Sequence, residues 1–242
     1  MQKTVSIIIP AYNESQYILR CLENVFLTEI PGWKKEVIVV NDGSTDNTQD
    51  LLDLSREKHS NLTIIHLKQN EGKGGALRAG IGSAKGEVIL VQDADLEYDP
   101  IDYLAILSCY KDPKIKSVYG SRILGAGMYH NYNANLFFYL GGRTLTYLVN
   151  HAFGTNLTDQ PTGYKSWHHS LSKHIVNYSK ERGFAFEIEL TRALSLHTKI
   201  VEVPIHYYPR SVNHGKKITL GDFIRSLFMI GVCLSRKHPS PQ

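Results

Sequence analysis

Two aspartates separated by one alanine follow an apolar run near the middle of the chain. Asp93 and Asp95 come shortly after the apolar residues 88–91, which end a predicted strand at residues 87–91. Carboxylates this close repel each other unless a cation or a proton lies between them. Carboxylate oxygens suit Mg²⁺ or Mn²⁺, which commonly share their coordination shell with substrate phosphates. Glu97, two residues further on, is a candidate for a second ligand. A D-x-D pair also occurs in acidic surface turns, so the pair alone leaves both interpretations open.

A glycine-rich segment, residues 70–78, lies between a predicted strand and a predicted helix. Backbone amides at a helix N-terminus attract anions, and Lys73 adds a positive charge next to Gly74. The G-x-x-x-x-G-K-[ST] spacing of a P-loop is absent, and the nearest glycine pattern lacks the spacing of a dinucleotide-binding fingerprint. The segment is therefore either an anion-binding turn of another type or a tight turn without a ligand.

The elements that must position these residues alternate along the first half of the chain. The predicted strands are residues 5–9, 36–40, 62–67, 87–91 and 116–119, and the predicted helices are residues 14–26, 45–57, 74–84 and 99–110. Apolar strands alternating with helices indicate a mostly parallel central sheet flanked by helices, an α/β fold. Ligands bind such sheets outside the carboxyl ends of the strands, where Tyr12, Asp42, Lys73 and Asp93 lie.

The second half of the chain has weaker periodicity. It predicts strands at residues 162–167 and 199–208 and helices at residues 135–150, 186–196 and 219–236. On a helix, Glu187 and Glu189 point about 200° apart, so at most one of them lines the site. We expect residues 1–218 to form the catalytic domain and residues 219–242 to form an amphipathic helix and a tail.

Composition and charge exclude several classes of protein. The chain has 242 residues and a formal net charge of +4, which is too mild for a nucleic-acid-binding protein. Its three cysteines are far apart, which argues against a zinc site or a disulfide framework. The sequence shows neither a signal peptide nor an apolar run of the roughly 18 residues that a membrane span requires. We therefore expect a cytoplasmic protein that binds no nucleic acid.

Eight segments together resemble the family 2 glycosyltransferases. Residues 5–14, 39–46, 70–75 and 93–96 match that family in order and separation, and residues 120–122, 158–165, 183–189 and 202–205 are similar to its dolichol-phosphate mannosyltransferase and bacterial polyprenyl-phosphate glycosyltransferase branch. The resemblance spans residues 4 to about 218. It implies a GT-A fold and a metal-dependent, inverting hexosyltransferase. It also implies a UDP- or GDP-linked sugar as donor and a polyprenyl or dolichyl phosphate as acceptor.

The resemblance also implies a role for each matching position. The residues that it assigns to the nucleotide-sugar donor are Pro10, Ala11, Tyr12, Glu14, Asp42, Lys73, Gly74, Asp93, Ala94, Arg210 and Lys216. Among them, Asp42 contacts the base or ribose. Asp95 is the main ligand of Mg²⁺ or Mn²⁺ and Glu97 a second ligand, while Arg122 contacts phosphate at the reaction centre.

The sequence departs from the family pattern at two places. Asn41 stands where the family usually has a first aspartate before Gly-Ser, although Asp42 is retained. The loop at residues 210–217 is longer than the usual Arg-x-x-Gly form, which leaves the choice between Lys216 and Lys217 open.

The nature of the acceptor decides whether a catalytic base is needed. A phosphate monoester is largely dianionic at neutral pH and can attack without one. A saccharide hydroxyl, in a second hypothesis, needs a carboxylate base, for which Asp159 is the candidate. A third hypothesis is an inactive GT-A domain that serves as a binding module, but Asp42, Asp93, Asp95 and Arg122 are all present. A nucleotidyltransferase is disfavoured because no glycine-rich signature follows the first strand.

The C-terminal helix leaves two interpretations open. Its apolar stripe fits a helix lying at the membrane surface, which would make the protein peripheral on the cytoplasmic face of the membrane. The same stripe fits a helix packed on the core or at a dimer interface, and the sequence does not predict an oligomeric state. If the helix lies on the membrane, we expect that deletion after Gly221 leaves the catalytic domain folded.

Overall fold

The computed structural model describes residues 2–129, 136–209 and 220–236. Within them, the strands are β1 (Lys3–Ala11), β2 (Trp33–Asn41), β3 (Leu62–His66), β4 (Val88–Val91), β5 (Ser117–Ser121), β6 (Lys165–His168) and β7 (Ile200–Pro204). The α-helices are α1 (Ile18–Leu27), α2 (Thr48–Arg56), α3 (Gly72–Ser83), α4 (Tyr103–Cys109), α5 (Arg122–Tyr129), α6 (Leu136–Phe153), α7 (Ser172–Tyr178), α8 (Phe186–Ser195) and α9 (Leu220–Ser235).

All seven strands join one sheet in the order β3-β2-β1-β4-β6-β5-β7. β1 pairs in parallel with β2 and β4, β2 pairs in parallel with β3, and β5 pairs in parallel with β7. β6 runs antiparallel to both of its neighbours, β4 and β5. The prediction of an α/β fold with a mostly parallel central sheet is confirmed.

Side chains of β1 alternate between two hydrophobic cores, one on each face of the sheet. Ile8 packs in the core that contains Leu77 of α3, whereas Ile7 and Ile9 pack in the opposite core with Leu22 of α1. Successive side chains of a strand point to opposite faces, so a strand covered on both faces reads as a continuous apolar run. Each fully buried isoleucine stabilises the fold by about 1.5–3 kcal/mol relative to exposure.

Several element boundaries differ from the prediction for local reasons. Residues 99–110 form a 3₁₀ turn at Pro100–Asp102 and then α4, with the Asp99 side chain accepting a hydrogen bond from the Ile101 amide at 3.0 Å. The strand predicted at residues 199–208 ends at Pro204. Beyond it, the amide of His206 donates to Asp102 at 2.8 Å, and the backbone leaves the sheet to follow the helix face.

The C-terminal helix α9 is part of the main body of the protein. Its residues Met229, Ile230 and Cys233 lie in the same core as Ile8, and Arg236 donates to the buried Glu189 carboxylate at 2.5 Å. This packing argues against the expectation that deletion after Gly221 leaves the domain folded, because the deletion would remove these side chains from the core. Within the described residues, no helix is both long and apolar enough to cross a bilayer.

Candidate active site

The carboxyl ends of β1, β2 and β4 open onto a cavity of about 870 Å³. Eleven of the predicted site residues line it: Pro10, Ala11, Tyr12, Glu14, Asp42, Lys73, Asp93, Ala94, Asp95, Glu97 and Arg122. Gly74 and Asp159 are not among the lining residues, and Arg210 and Lys216 lie outside the described residues. Residues separated by more than 100 positions in sequence thus meet at one edge of the sheet.

The two aspartates lie on a tight turn directly after β4. Leu96 has a φ of 63°, a left-handed conformation that reverses the chain behind Asp95. Asp95 Oδ1 accepts the Glu97 amide at 3.1 Å, and Glu97 Oε2 accepts the Tyr207 hydroxyl at 3.0 Å. These contacts fix the carboxylates at the cavity wall.

The carboxylates of this turn fit a divalent cation that is shared with a ligand. Within residues 2–129, 136–209 and 220–236, no three His, Cys, Asp or Glu side chains are grouped closely enough to hold a metal ion between them. Mg²⁺ typically takes one or two carboxylates and completes its shell with water and phosphate oxygens. Asp95, with Glu97 nearby, supplies a donor set of that kind.

Lys73 lies on the first turn of α3 and contacts two carboxylates. Its Nζ lies 2.9 Å from Asp93 Oδ1 and 2.8 Å from Glu187 Oε1. Burial lowers the pKa of Lys73, but the two carboxylates outweigh burial and raise that pKa above its ordinary value. Lys73 is therefore a permanent cation in this wall of the cavity.

Two amides of the glycine-rich turn are taken by groups of the protein itself. The Gly74 amide donates to the Arg182 carbonyl at 2.6 Å, and the Glu71 amide donates to Asp42 Oδ1 at 2.7 Å. A Cβ at Gly74 would collide with the Glu181 carbonyl and the Phe186 side chain. Gly74 thus does not line the cavity, since it lets residues 181–186 pack against α3, and its assignment to the donor site stays a prediction.

Asp42 follows β2 and is almost fully buried at the cavity edge. Burial raises its pKa, and the hydrogen bonds from the backbone amides of Glu71 and Gly72 offset that rise only in part. The neighbouring Asn41 is engaged within the protein, since its Oδ1 accepts the Ser44 amide at 3.1 Å. The departure at Asn41 thus falls on a residue that shapes the turn, while Asp42 lines the cavity.

Arg122 begins α5 directly after β5 and is held by Asp159. Its Nε lies 2.7 Å from Asp159 Oδ2, and its Nη2 lies 2.7 Å from Asp159 Oδ1. The Asp159 amide in turn donates to Glu202 at 3.0 Å. The Arg122 guanidinium also lies 5.1 Å from the centre of the Tyr207 ring. To act as a base, Asp159 would first have to release this bidentate contact.

The remaining wall of the cavity is mainly apolar and comes from helices of the second half. Most of its residues are apolar or small, and they are Leu140, Gly141, Gly142, Thr144 and Leu145 of α6, Phe184 and Ile188 at α8, and Leu220, Phe223 and Ser226 of α9, joined by the charged Asp222 of α9. The sequence did not single out this wall. The apolar stripe of α9 is visible in the sequence, but this stripe does not show that α9 packs beside α6.

The sequence also left Lys165 out of the candidate site. Lys165 lies on β6 with its Nζ 3.1 Å from Glu187 Oε2, so Glu187 joins two lysines. Glu189 points away from the cavity, toward Arg236, as expected for two residues about 200° apart on a helix. Lysine pairing across two elements carries no sequence signal, because it depends on how β6 and α8 pack.

Comparison with known proteins agrees with this architecture. A dolichyl-phosphate beta-glucosyltransferase of Saccharomyces cerevisiae is 30% identical over 227 residues, which cover 84% of this chain and 66% of that protein. An undecaprenyl-phosphate mannosyltransferase of Micrococcus luteus is 29% identical over 214 residues, which cover 86% of this chain and 85% of that protein. The chain thus spans slightly less than two thirds of the yeast relative's length.

Solved structures give the fold. Glucosyl-3-phosphoglycerate synthase from Mycobacterium tuberculosis, in complex with Mn²⁺, uridine diphosphate and phosphoglyceric acid, superposes with a TM-score of 0.70 at 18% identity, covering 98% of this chain and 80% of that one. The likeness shows that the α/β architecture is of the GT-A type. The model of the family described as Glycosyl transferase family 2 matches residues 6–176, and with these strands, this cavity and its paired aspartates the chain belongs to that family.

Proposed function

We propose that the chain transfers a hexose from a UDP- or GDP-linked nucleotide-sugar to a polyprenyl phosphate, with inversion and with the help of Mg²⁺ or Mn²⁺. The names of the yeast and Micrococcus luteus relatives support a dolichyl or undecaprenyl phosphate as acceptor. The cavity volume of about 870 Å³ suits a ligand of nucleotide-sugar size.

The donor would lie along the carboxyl ends of β1, β2 and β4. Pro10, Tyr12, Glu14 and Asp42 would surround its nucleoside, and Asp93 would face its sugar. Arg210 and Lys216 are assigned to its phosphates by resemblance alone. A divalent cation at Asp95 and Glu97 would neutralise charge on the departing diphosphate. The protein itself contributes the orientation of the donor and the positive charges of Lys73 and Arg122.

The acceptor phosphate would bind at Arg122. A guanidinium suits a phosphate in geometry as well as charge. The phosphate needs no base, since it is already largely dianionic at neutral pH. Because Asp159 holds Arg122 through both carboxylate oxygens, the arrangement supports a phosphate acceptor better than a hydroxyl acceptor that needs Asp159 as a base.

One observation carries the choice of a lipid: the apolar cavity wall continues onto the protein surface. Leu140 of α6 and Leu220 of α9 both line the cavity, and they are 54% and 59% exposed. An acceptor with its phosphate at Arg122 could therefore run its hydrocarbon chain between α6 and α9 to the outside. A soluble phosphate ester or a saccharide has no use for this apolar path.

The outer face of α9 supports contact with a membrane surface. Leu220, Ile224, Phe228 and Leu234 form a stripe along it, which we call the outer stripe, and each is more than half exposed. The opposite face of the helix packs in the core. A helix with one face in the core and an exposed apolar face beside an opening for a lipid chain is typical of a peripheral protein at the bilayer interface. Its assignment to the cytoplasmic face stays a prediction from the sequence.

The division of the chain at residue 218 is also part of this proposal. Every described polar residue assigned to donor, metal or acceptor phosphate lies before that position, and α9 contributes apolar wall and outer stripe. In this division the first part performs the chemistry and α9 brings the acceptor lipid to it.

A panel of UDP- and GDP-linked hexoses tests the proposal. Each is incubated with Mn²⁺ or Mg²⁺, and release of nucleoside diphosphate is measured with polyprenyl phosphate, with phosphoglyceric acid, with an oligosaccharide and without acceptor. We expect one donor to be turned over at least ten times faster with polyprenyl phosphate, and EDTA or Asp95→Asn to abolish this rate. Stimulation by the oligosaccharide alone would establish the hydroxyl acceptor instead.

A further inference from the structure

A line of four charged side chains runs from the cavity wall into the protein interior. Asp93 contacts Lys73, Lys73 contacts Glu187, and Glu187 contacts Lys165, at 2.9, 2.8 and 3.1 Å between the charged atoms. The four side chains are at most 19% exposed, and that of Lys165 is 2% exposed. Two negative and two positive charges alternate, so every charge lies beside an opposite one. We call this line the ionic chain.

The inner end of the ionic chain is anchored by neutral groups. Lys165 Nζ donates to the Thr162 carbonyl and lies 5.1 Å from the centre of the Tyr119 ring. Glu187 is carried by α8, whose Thr191 hydroxyl donates back to the Glu187 carbonyl at 2.9 Å. Four different elements, β4, α3, α8 and β6, supply or adjoin these groups. The position of the Glu187 carboxylate therefore depends on how α3, α8 and β6 pack together.

The outer end of the ionic chain is Asp93, which is held from both sides. Lys73 contacts Asp93 Oδ1, and a Cβ at Gly163 would collide with Asp93 Oδ2 and with the ring of Tyr98. Gly163 itself is fixed by its amide, which donates to the Tyr98 hydroxyl at 2.7 Å. With one oxygen paired to a cation and the other against a glycine, the carboxylate has a single orientation toward the cavity.

We infer that Glu187 is a positioning residue for the sugar half of the donor: with Lys165 behind it, it holds Lys73 so that Lys73 fixes Asp93. Without Glu187, the buried Lys165 would repel Lys73, and Asp93 would lose its fixed partner. An ionised carboxylate only accepts hydrogen bonds, so a fixed Asp93 suits the hydroxyl groups of a sugar ring. This inference rests on the proposed function, because it assigns the sugar of that donor to Asp93.

The test separates the sugar from the rest of the donor. In Glu187→Gln we would measure the turnover of the nucleotide-sugar that the wild type uses. We would also measure by calorimetry the affinity of this variant for UDP and GDP in the presence of Mg²⁺. We expect at least a tenfold loss of turnover while the affinity for the nucleoside diphosphate changes by less than twofold. The double variant Lys165→Met/Glu187→Gln removes the unpaired lysine and should recover at least threefold of that loss.

Glu189→Gln is the matched control. Glu189 lies on the same helix and is fully buried in an ion pair, but it faces Arg236 away from the cavity. Both substitutions should lower the melting temperature, but Glu189→Gln should keep the turnover of the folded protein. Equal turnover losses in the two variants, or a proportional loss of nucleotide affinity in Glu187→Gln, would overturn the inference. If Glu187→Gln does not fold, the double variant is compared with Glu189→Gln instead, and it should show the smaller loss of turnover that remains after this recovery.

A second measurement is independent of activity. It compares the urea midpoints of Glu187→Gln, Asp93→Asn and the variant that carries both substitutions. The ionic chain predicts that the shift of the double variant is not the sum of the two single shifts, because Lys73 joins the two residues. In a Lys73→Met background the coupling should change sign, because both carboxylates lie within contact distance of the lost Nζ and would then repel each other. Additive shifts in both backgrounds overturn the ionic chain. A wild type that turns over no nucleotide-sugar would instead overturn the proposed function, and this cycle would still decide the inference.

Discussion

Arg122 and Asp159 form the contact on which the choice of acceptor depends. Lysine lacks the planar guanidinium that suits both Asp159 and a phosphate. If Arg122 binds the acceptor phosphate, Arg122→Lys therefore loses a charged contact, which costs about 2–3 kcal/mol. We expect the acceptor kcat/KM to fall by about 100-fold while the donor KM stays within threefold. Steady-state kinetics with each substrate varied in turn measures this.

Asp159→Asn separates the two acceptor hypotheses. As a residue that only holds Arg122, Asp159 should be replaceable by asparagine with a partial loss of activity, because the amide oxygen still accepts one hydrogen bond. A general base replaced by asparagine would lose activity at every pH. Complete loss in Asp159→Asn together with a mild effect of Arg122→Lys would favour the saccharide hydroxyl.

Glu187 gives the stability of the protein a defined pH dependence. Burial raises its pKa, but Lys165 and Lys73 outweigh burial and lower the pKa from 4.5 to about 2. A carboxyl whose pKa is lower in the folded protein stabilises the fold above pH 4.5 and loses this contribution as the pH falls toward 2. That contribution is at most about 3 kcal/mol, from about 1.36 kcal/mol per pKa unit.

We therefore expect the difference in urea midpoint between wild type and Glu187→Gln to be constant above pH 5 and to shrink as the pH falls toward 2. Glu189→Gln, on the same helix, controls for loss of a different buried carboxylate. A difference that stays constant down to pH 2 would show that the ion pairs with Lys73 and Lys165 do not form in solution.

Among single residues, the sequence predicted the site residues that follow strands better than those that meet only through packing. Asp42, Asp93 and Asp95 were predicted correctly as neighbours because parallel strands end at one edge. Gly74 does not line the cavity, because the Arg182 carbonyl, more than 100 residues away, takes its amide. No local pattern shows which distant carbonyl will reach a helix N-terminus.

Among the elements, α6 and α9 give the cavity its apolar wall. A Cβ at Gly141 of α6 would lie 3.8 Å from the Phe223 ring, an ordinary contact, so alanine is tolerated there and a larger side chain must extend into the cavity. We expect Gly141→Trp to raise the KM for polyprenyl phosphate at least tenfold, since each methylene group displaced from the groove costs about 0.8 kcal/mol. The donor KM should not change.

Gly82→Trp is the control for that substitution, because Gly82 lies on the exposed face of α3 with nothing within 4 Å of its Cβ position. Acceptors of decreasing chain length sharpen the comparison. The penalty of Gly141→Trp should vanish for an acceptor too short to reach α6. An unchanged KM for the full-length lipid would mean that the chain leaves the cavity by another route.

The first four strands were predictable at the level of elements, and the second half was less so. Residues such as Ile7, Ile8 and Ile9 form a continuous apolar run because both faces of their strand are covered. β6 is shorter than predicted and runs antiparallel between β4 and β5. Strand direction depends on the connections through residues 122–164, which leave no periodic signature in β6 itself.

For the whole molecule, the outer stripe predicts binding to a lipid surface. We expect the protein to sediment with vesicles of phosphatidylcholine and phosphatidylglycerol at low salt and more weakly at high salt. Ile224→Glu/Phe228→Glu should lower this binding at least tenfold without unfolding the protein, since both side chains are about 60% exposed.

The matched control for the outer stripe is Leu27→Glu/Leu54→Glu, which alters two leucines on α1 and α2 that are 72% and 60% exposed. It should bind vesicles like the wild type. Equal binding by both double variants would remove the outer stripe from the account of membrane contact and leave α9 as a packed helix of the domain.

If a lipid-linked phosphate is the nucleophile, the transferred sugar must end up on the lipid. The donor with a labelled sugar is incubated with the wild type, Mn²⁺ and detergent micelles containing either polyprenyl phosphate or the matching polyprenol, and label in the organic phase is counted. We expect labelled lipid with polyprenyl phosphate and none with the polyprenol, because Asp159, the candidate base, is held by Arg122 through both carboxylate oxygens. Label in a soluble saccharide, with polyprenyl phosphate left unlabelled, would contradict this expectation.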